Sequence, residues 1–203
     1  MKKTIALGLL LLLLSSSALW AAARAPQDVV QDTSARMVEA LRKNRATLDR
    51  DPGRLYELVN QIVLPNFDFE LMSRWVLGRA WQQATPEQRR SFTEEFRILL
   101  VRTYAKALLE YANEEIRVLP QPTGADGNET TIRTEVKPRT GQPIPINYSM
   151  HLGNDAWKVY DVTVEGVSLV TNYRGTFASQ IRSNGLDAVI ADLRQRNSIP
   201  GGR

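Results

Sequence analysis

Cysteine is absent from this sequence, and only one of its 203 residues is a histidine. Without cysteine the chain has no disulfide, no thiolate metal site, no thiol nucleophile and no cysteine for a lipid anchor. A single histidine argues against a histidine-rich metal site or a histidine-based catalytic relay. The sequence also lacks a Gly-rich phosphate loop and the G-x-S-x-G and H-E-x-x-H motifs. These absences point away from nucleotide hydrolysis and from common hydrolase chemistry.

The chain also has little net charge. Its 26 basic and 22 acidic residues give a net charge of +4, with 43% apolar and 24% charged residues. This composition is that of an ordinary globular protein, so it excludes a disordered chain, collagen and a polytopic membrane protein. Loss of Lys2 and Lys3 with a leader would reduce the net charge to +2. Nucleic-acid binding would need a clustered basic patch with interleaved aromatics, which the sequence does not show.

The first 25 residues are composed unlike the rest. Two lysines precede an apolar run over residues 5–14, and small residues follow as far as Ala23. This order predicts a secretory signal peptide over residues 1–23, with cleavage after Ala23. The alternative is a membrane anchor, which needs about 20 apolar residues, whereas Ser15–Ser17 interrupt this run. We therefore expect an exported domain over residues 24–197, followed by a flexible tail over residues 198–203.

Helical patterns fill the first half of the mature chain. Capping residues mark several starts: Asp51 precedes Pro52, Asp68 precedes an apolar stripe, and Thr85 to Gln88 form a capping box with proline at the first helical position. The predicted helices cover residues 32–49, residues 52–64 before Pro65, residues 69–77 before Gly78, and about 25 residues after Thr85. The last of these carries one long apolar face ending at Tyr111 and should be buried along one side.

From Ile116 the apolar period changes to two, which is typical of strands. Strands are predicted over residues 116–120, 130–137, 144–152 and 157–164, with a turn-rich segment at residues 124–128 and a hairpin turn at residues 153–155. Short loops join them, so we expect a four-stranded antiparallel meander with one apolar face. Helices are predicted again over residues 167–184, before Gly185, and over residues 186–196. This order gives an α+β fold of N-terminal helices, sheet and C-terminal helices.

Few residues suggest chemistry. His151 lies on the polar face of its strand beside Asn147 and Ser149, which predicts a solvated surface residue. Asp161 and Glu165 share a strand face, and paired carboxylates can act as acid and base, although such a pair more often lies at a sheet edge or opposite an arginine. Large apolar side chains are abundant instead. Their periodicity does not distinguish a filled core from a lined cavity, because both need the same apolar stripe.

Five motifs, taken together and in order, carry a resemblance to a known family. They are Leu64-Pro65-x-Phe67-Asp68-Phe69, Val76-Leu77-Gly78-x-x-Trp81, Gln88-x-x-x-Phe92 with Leu99-Leu100-x-x-x-Tyr104, Trp157-Lys158-Val159-Tyr160-Asp161-Val162, and Glu165-Gly166-Val167-Ser168-Leu169-Val170-x-Asn172-Tyr173-Arg174. Over about residues 27–197 the chain resembles the MlaC family of periplasmic phospholipid-binding, toluene-tolerance auxiliary proteins.

The resemblance implies a curved antiparallel sheet of the NTF2-like kind that encloses, with the helices, an apolar pocket for acyl chains. It also implies a soluble monomeric carrier in the periplasm that is not an enzyme. Its partners would be an outer-membrane lipoprotein–porin complex and an inner-membrane ABC transporter with an MCE-domain subunit. By carrying lipid between these two complexes, it would maintain the lipid asymmetry of the outer membrane. Phospholipid is the cargo, and no cofactor, metal or nucleic acid is implied.

On this resemblance we expect eleven residues to bind lipid, with ordinary core as the alternative for each. They are Phe96, Leu99, Leu100, Tyr104 and Leu108 on the long helix, Ile146, Tyr148 and Met150 on the third strand, and Val167, Val170 and Tyr173 after the sheet. Two other functions remain open. An exported NTF2-like enzyme acting on a hydrophobic substrate would use Asp161 as its titratable group, and a lipoprotein carrier would hold an acylated peptide.

Overall fold

The structure is a computed structural model that describes residues 23–48, 50–110, 114–120, 127–154 and 156–198. The predicted signal peptide and tail, except for Ala23 and Ser198, lie outside these ranges. So do Tyr111, Asp155 and most of the turn-rich segment at residues 124–128. Within the described ranges, no helix has both the length and the apolar character needed to cross a membrane.

Helices flank a sheet on both sides in sequence, as the apolar periods predict. In the ranges given above, the α-helices are α1 (Pro26–Lys43), α2 (Arg45–Leu48), α3 (Pro52–Ile62), α4 (Phe69–Leu77), α5 (Arg79–Gln83), α6 (Pro86–Glu110), α7 (Leu169–Asn184) and α8 (Leu186–Ser198). The strands are β1 (Glu115–Val118), β2 (Glu129–Lys137), β3 (Ile144–Gly153), β4 (Ala156–Val164) and β5 (Val167–Ser168). A short 3-10 turn, Leu64–Asn66, lies between α3 and α4.

The predicted helix caps are confirmed. Asp68 accepts a hydrogen bond from the Leu71 amide at 2.8 Å, which satisfies one of the free amides at the start of α4. At the start of α6 the Gln88 amide donates to Thr85 Oγ1 (3.1 Å), and the Thr85 amide donates to Gln88 Oε1 (2.9 Å). This reciprocal pair is a capping box. α6 then runs for the predicted 25 residues.

Several element boundaries differ from the prediction. α1 begins at Pro26 rather than at residue 32, because proline at the first helical position starts the helix earlier. At Asn44 the helix breaks, and the Asn44 side chain donates to the Ala40 carbonyl at 2.8 Å. α5 was not predicted. The helix predicted over residues 167–184 begins two residues later, because the Ser168 side chain caps α7 and its first residue is Leu169. Val167 and Ser168 instead form a fifth strand, β5.

All neighbouring strands in the described sheet are antiparallel, in the order β1-β2-β3-β4-β5. Thr134 on β2, Ile146 on β3 and Val164 on β4 lie directly opposite one another, so they share one face. A bulge interrupts the register between β3 and β4: Ser149 pairs with Asp161, whereas Met150 pairs with Val159. At the bulge β4 has one residue more than β3, so the pairing of the two strands shifts by one residue on either side of it.

Among the residues that the structure describes, three apolar clusters form the core. The first lies among α4–α8 and contains stacked and edge-on contacts of Phe92, Phe96 and Phe177. The second lies among α1, α2, α3 and α6, and the third joins α1 to the sheet. α6 contributes Phe96 to the first cluster and Val101 and Ala105 to the second. The predicted one-sided burial of α6 is therefore wrong, since this helix packs on two sides.

Candidate functional site

Six of the eleven predicted lining residues converge on the first apolar cluster. Phe96, Leu100 and Val170 are buried members of it, and Leu99, Tyr104 and Tyr173 pack against it. The rings of Phe96 and Tyr173 meet edge-on with their centroids 5.3 Å apart. α6 and α7 therefore bring these six side chains together, as either a lined pocket or an ordinary core would require.

The remaining five residues are more widely placed. Met150 is buried in the third cluster, and Tyr148 packs against it. Ile146 is half-buried. Leu108 and Val167 lie at the surface, with 37% and 57% of their area exposed. Val167 nevertheless pairs directly with Val164 on β4, so it continues the apolar face of the sheet at its edge.

The apolar face of the sheet is unevenly covered. On β2 the inward side chains of Ile132, Thr134 and Val136 are all buried. β3 is the middle strand of the sheet, and the centre of a filled core should be its most buried part. Most inward side chains of β3 and their neighbours on β4 are only half-buried. We call these side chains the β3–β4 wall: Ile144, Ile146, Tyr148, Val162 and Val164.

Among the eleven predicted lining residues, the polar side-chain atoms are tyrosine hydroxyls. Burial raises the pKa of Tyr148, against a smaller lowering by its hydrogen bond to Thr134. Thr134 in turn donates to the Ile146 carbonyl at 2.8 Å. Burial, and to a lesser extent the neighbouring Tyr173, raise the pKa of Tyr104 to about 12. Both shifts lead away from physiological pH, where a tyrosine is neutral in any case, and a neutral phenol is compatible with an apolar ligand.

Asp161 caps a helix, so its carboxylate is already engaged. One oxygen accepts from Ser168 Oγ at 2.5 Å, and the other accepts from the Val170 amide at 3.1 Å, at the start of α7. The sequence pattern places Glu165 on the same strand as Asp161, but in the structure Glu165 lies beyond the end of β4. It is exposed in the following turn with φ of +50°. The prediction that Asp161 and Glu165 share one strand face is therefore wrong.

His151 is not the solvated residue that the sequence predicted. Its side chain is only 20% exposed, and Nε2 lies 2.9 Å from Asp68 Oδ2. Asp68 also caps α4, so this pair ties β3 to the start of α4. The two residues are 83 positions apart. No local pattern indicates a contact between residues so distant in sequence.

Comparison with known proteins places the chain among lipid-binding relatives. Residues 31–195 match the family described as MlaC protein. The toluene tolerance protein ttg2D of Pseudomonas putida is 33% identical over 181 residues, which are 89% of this chain and 84% of that protein. The intermembrane phospholipid transport system binding protein MlaC of Haemophilus influenzae is 28% identical over 178 residues, or 86% of this chain and 83% of that protein.

A solved structure shows the same fold. It is the phospholipid-binding protein from Ralstonia solanacearum, in complex with a phospholipid, and it is 28% identical to this chain. The TM-score is 0.80, and the match covers 86% of this chain and 98% of that one. The predicted α+β class is thereby confirmed, with one strand more than expected.

Proposed function

The chain belongs to the MlaC family, and on that premise we propose that it is a phospholipid carrier of the periplasm. It holds acyl chains in an apolar pocket and exchanges lipid between two membrane complexes. One is an outer-membrane lipoprotein–porin complex, and the other is an inner-membrane ABC transporter with an MCE-domain subunit. This exchange would maintain the lipid asymmetry of the outer membrane. The carrier acts as a monomer and catalyses no reaction.

A carrier is needed because acyl chains do not travel freely in water. Each buried CH₂ group is worth about 0.8 kcal/mol, so one chain of about 16 carbons costs roughly 12 kcal/mol to expose. A protein that transports such a lipid must cover the chains with apolar side chains, whereas the headgroup can remain in solvent. We therefore expect affinity to depend on the tails and to vary little with the headgroup.

The observation that carries the proposal is the incomplete burial of the β3–β4 wall. If the apolar side chains of the middle strand only formed part of the core, other side chains of the protein should cover them completely. Space beside this wall would instead receive an acyl chain. Val167 extends the wall because it pairs with Val164 at the sheet edge. A ligand lying along the wall would cover its exposed side chain.

We place the predicted lining residues around that space. Ile146, Tyr148 and Met150 form the sheet side. Leu108 lies one helical turn beyond Tyr104 on α6, where a bound chain would cover it. The helical side consists of Phe96, Leu99, Leu100, Tyr104, Leu108, Val170 and Tyr173. Since Asp161 caps α7, no observation favours the alternative of an enzyme that uses it as a base.

The direct test is to identify the ligand. The mature protein, purified without detergent and measured by native mass spectrometry, should carry one or more phospholipids. Lipid extraction should return the same species. A protein that arrives empty and takes no lipid from phospholipid vesicles would refute the proposal. An acylated peptide in place of phospholipid would identify a lipoprotein carrier instead.

Ile146→Trp tests whether the β3–β4 wall faces lipid. The larger side chain would occupy the space proposed for an acyl chain, so lipid uptake from vesicles should fall at least about tenfold. Asn147→Trp is the matched control, because Asn147 is the next residue on β3 and points to the opposite, polar face. Normal uptake by a folded Ile146→Trp variant would show that this residue does not contact the cargo.

A paired stability measurement separates a filled core from an open wall. Ile132 is buried and Ile146 is half-buried on the same sheet face. Ile132→Ala should cost about 2–5 kcal/mol of unfolding free energy, as expected for a filled core. Ile146→Ala should cost less than half of that in the lipid-free protein. Equal losses in urea unfolding would mean that the wall is ordinary core.

A further inference from the structure

A cleft lies among the helices, and none of its described lining residues belongs to a strand. It has a volume of about 860 Å³ and is formed by α4, α5, the first turn of α6 and α7. None of the eleven predicted lipid-binding residues lines it. The cleft is lined by Leu71, Arg74, Trp75, Gly78, Arg79, Trp81, Gln82, Arg89 and Arg174. The proposed lipid pocket therefore does not explain this surface.

The charge of the cleft is of one sign. Among the described residues, four arginines line it, and neither aspartate nor glutamate does. Arg74, Arg79 and Arg174 are exposed, and among the described residues none of the three contacts a carboxylate. Unpaired guanidinium groups that line one concave surface repel one another, and an anionic ligand would relieve this repulsion.

One of the arginines, Arg89, is held in place by the fold, and another, Arg174, lies beside Gly78. The Arg89 side chain donates from Nε to the Trp81 carbonyl at 2.9 Å and lies over the Trp81 ring. Gly78 has φ of +54°, and a Cβ there would lie 3.4 Å from an Arg174 guanidinium nitrogen. Arg174 thus lies against the end of α4, where the helix dipole favours a cation. That local role explains Arg174 but not the other two unpaired arginines.

Trp75 makes the cleft partly apolar. Half of its area is exposed, at a position between the arginines at 74 and 79. Tryptophan and arginine are, with tyrosine, the residues most enriched where protein partners bind tightly. A membrane anchor would instead carry its indole on a protruding surface, whereas Trp75 lines a concave one. The combination favours a protein partner over a bilayer.

We propose that this cleft docks an acidic segment of a protein that exchanges lipid with the carrier. Carboxylates of that segment pair with Arg74, Arg79 and Arg174, and an apolar side chain of the partner covers Trp75. The inference rests on the proposed function, since only a carrier needs a docked donor or acceptor. Arginine suits the task because its planar guanidinium group binds carboxylates through two hydrogen bonds.

The test is charge reversal in the cleft. Binding is measured to the purified periplasmic parts of the MCE-domain subunit and of the outer-membrane lipoprotein from the same organism. Arg74→Glu/Arg79→Glu should weaken binding to at least one of them at least about tenfold. The matched control is Arg90→Glu/Arg182→Glu, which changes the net charge equally at exposed positions outside the cleft. The control should stay within about threefold of wild type.

Two further measurements test the apolar and the electrostatic parts of the proposed contact. Trp75→Ala should weaken the same complex by about tenfold without any change of charge. Wild-type binding should also weaken between about 50 and about 300 mM NaCl, because exposed ion pairs are screened. If neither partner distinguishes the cleft variants from the control, the inference is overturned. Binding of the wild type to anionic phospholipid vesicles, lost in the cleft variant while partner binding is unchanged, would also overturn it.

Lipid loading separates this inference from the proposed function. The cleft variants should carry phospholipid like the wild type, because the cleft lies outside the proposed pocket. Empty wild-type protein would contradict the carrier itself. Loaded variants that bind both partners normally would contradict only the docking cleft.

Discussion

Asp161→Asn should destabilise the junction between the sheet and α7. The carboxylate accepts from Ser168 Oγ and from the Val170 amide, while Ser168 itself caps α7 through the Thr171 amide at 3.0 Å. An amide at this position removes the negative charge that the helix N-terminus favours, worth about 0.3–1 kcal/mol. It also puts an NH₂ group where one of the two accepting oxygens was.

The expected loss is about 2 kcal/mol of unfolding free energy. Hydrogen bonds to a charged acceptor contribute about 1.5–3 kcal/mol, and the neutral amide keeps part of that. For a domain of about 150–250 residues, 1 kcal/mol lowers the melting temperature by roughly 2–4 °C. Circular dichroism should therefore show a melting temperature about 4–8 °C lower, with lipid loading retained.

Ser149→Ala is the matched control. Ser149 lies directly opposite Asp161 on β3 but takes no part in its contacts with Ser168 and Val170. Removal of the Ser149 hydroxyl should therefore change the melting temperature by less than about 2 °C. A cycle with Ser168→Ala should show coupling of about 1–2 kcal/mol between Asp161 and Ser168, because they share a hydrogen bond. An unchanged melting temperature in Asp161→Asn would refute the capping role. Loss of a chemical turnover in that stable variant would revive the enzyme hypothesis.

Two further predictions concern α6. The Tyr104 phenol should titrate near its raised pKa of about 12 by ultraviolet difference absorbance, whereas its unfolded-state value is 10.0. The contribution of Tyr104 to stability is therefore complete below pH 10 and is lost as pH rises towards 12. Tyr104→Phe should remove this pH-dependent loss. Titration of Tyr104 near pH 10 would contradict the prediction. Asn197→Ala should cost about 2 kcal/mol in urea unfolding, because Asn197 Nδ2 donates to the buried Glu95 carboxylate at 2.8 Å and to its carbonyl at 2.9 Å. The control Ser198→Ala should be nearly neutral, and equal effects would show that the contact with Glu95 contributes nothing.

Local sequence patterns were sufficient for most elements. The caps at Asp68 and Thr85 and the glycines at 78 and 185 act within four residues of themselves, so the sequence displays them directly. Alternating side chains likewise defined β3 within one residue of its observed end. α5 was missed because it has only five residues and lacks a side-chain cap. Short elements of this kind depend on their packing partners more than on local preference.

Contacts between distant residues could not be read in the same way. The pairing of His151 with Asp68, 83 positions away, leaves no local trace. The cleft likewise joins arginines from α4, α5, α6 and α7, each of which looks like an ordinary solvated residue in the sequence. The predicted lining residues show the same limit. Periodicity identified apolar faces, but only the assembled sheet shows that the face of β3 is less covered than that of β2.

The β3–β4 wall can remain incompletely covered because the chain is stabilised elsewhere. The first two apolar clusters draw all their buried members from helices. The sheet is joined to the helices by the contact of Asp68 with His151, by the hydrogen bond from the Val170 amide to Asp161, and by the third apolar cluster. On the proposed function, a chain built in this way would release its lipid without losing its principal core. Bound lipid would then add stability only by mass action, so an empty carrier should stay folded and ready for the next lipid.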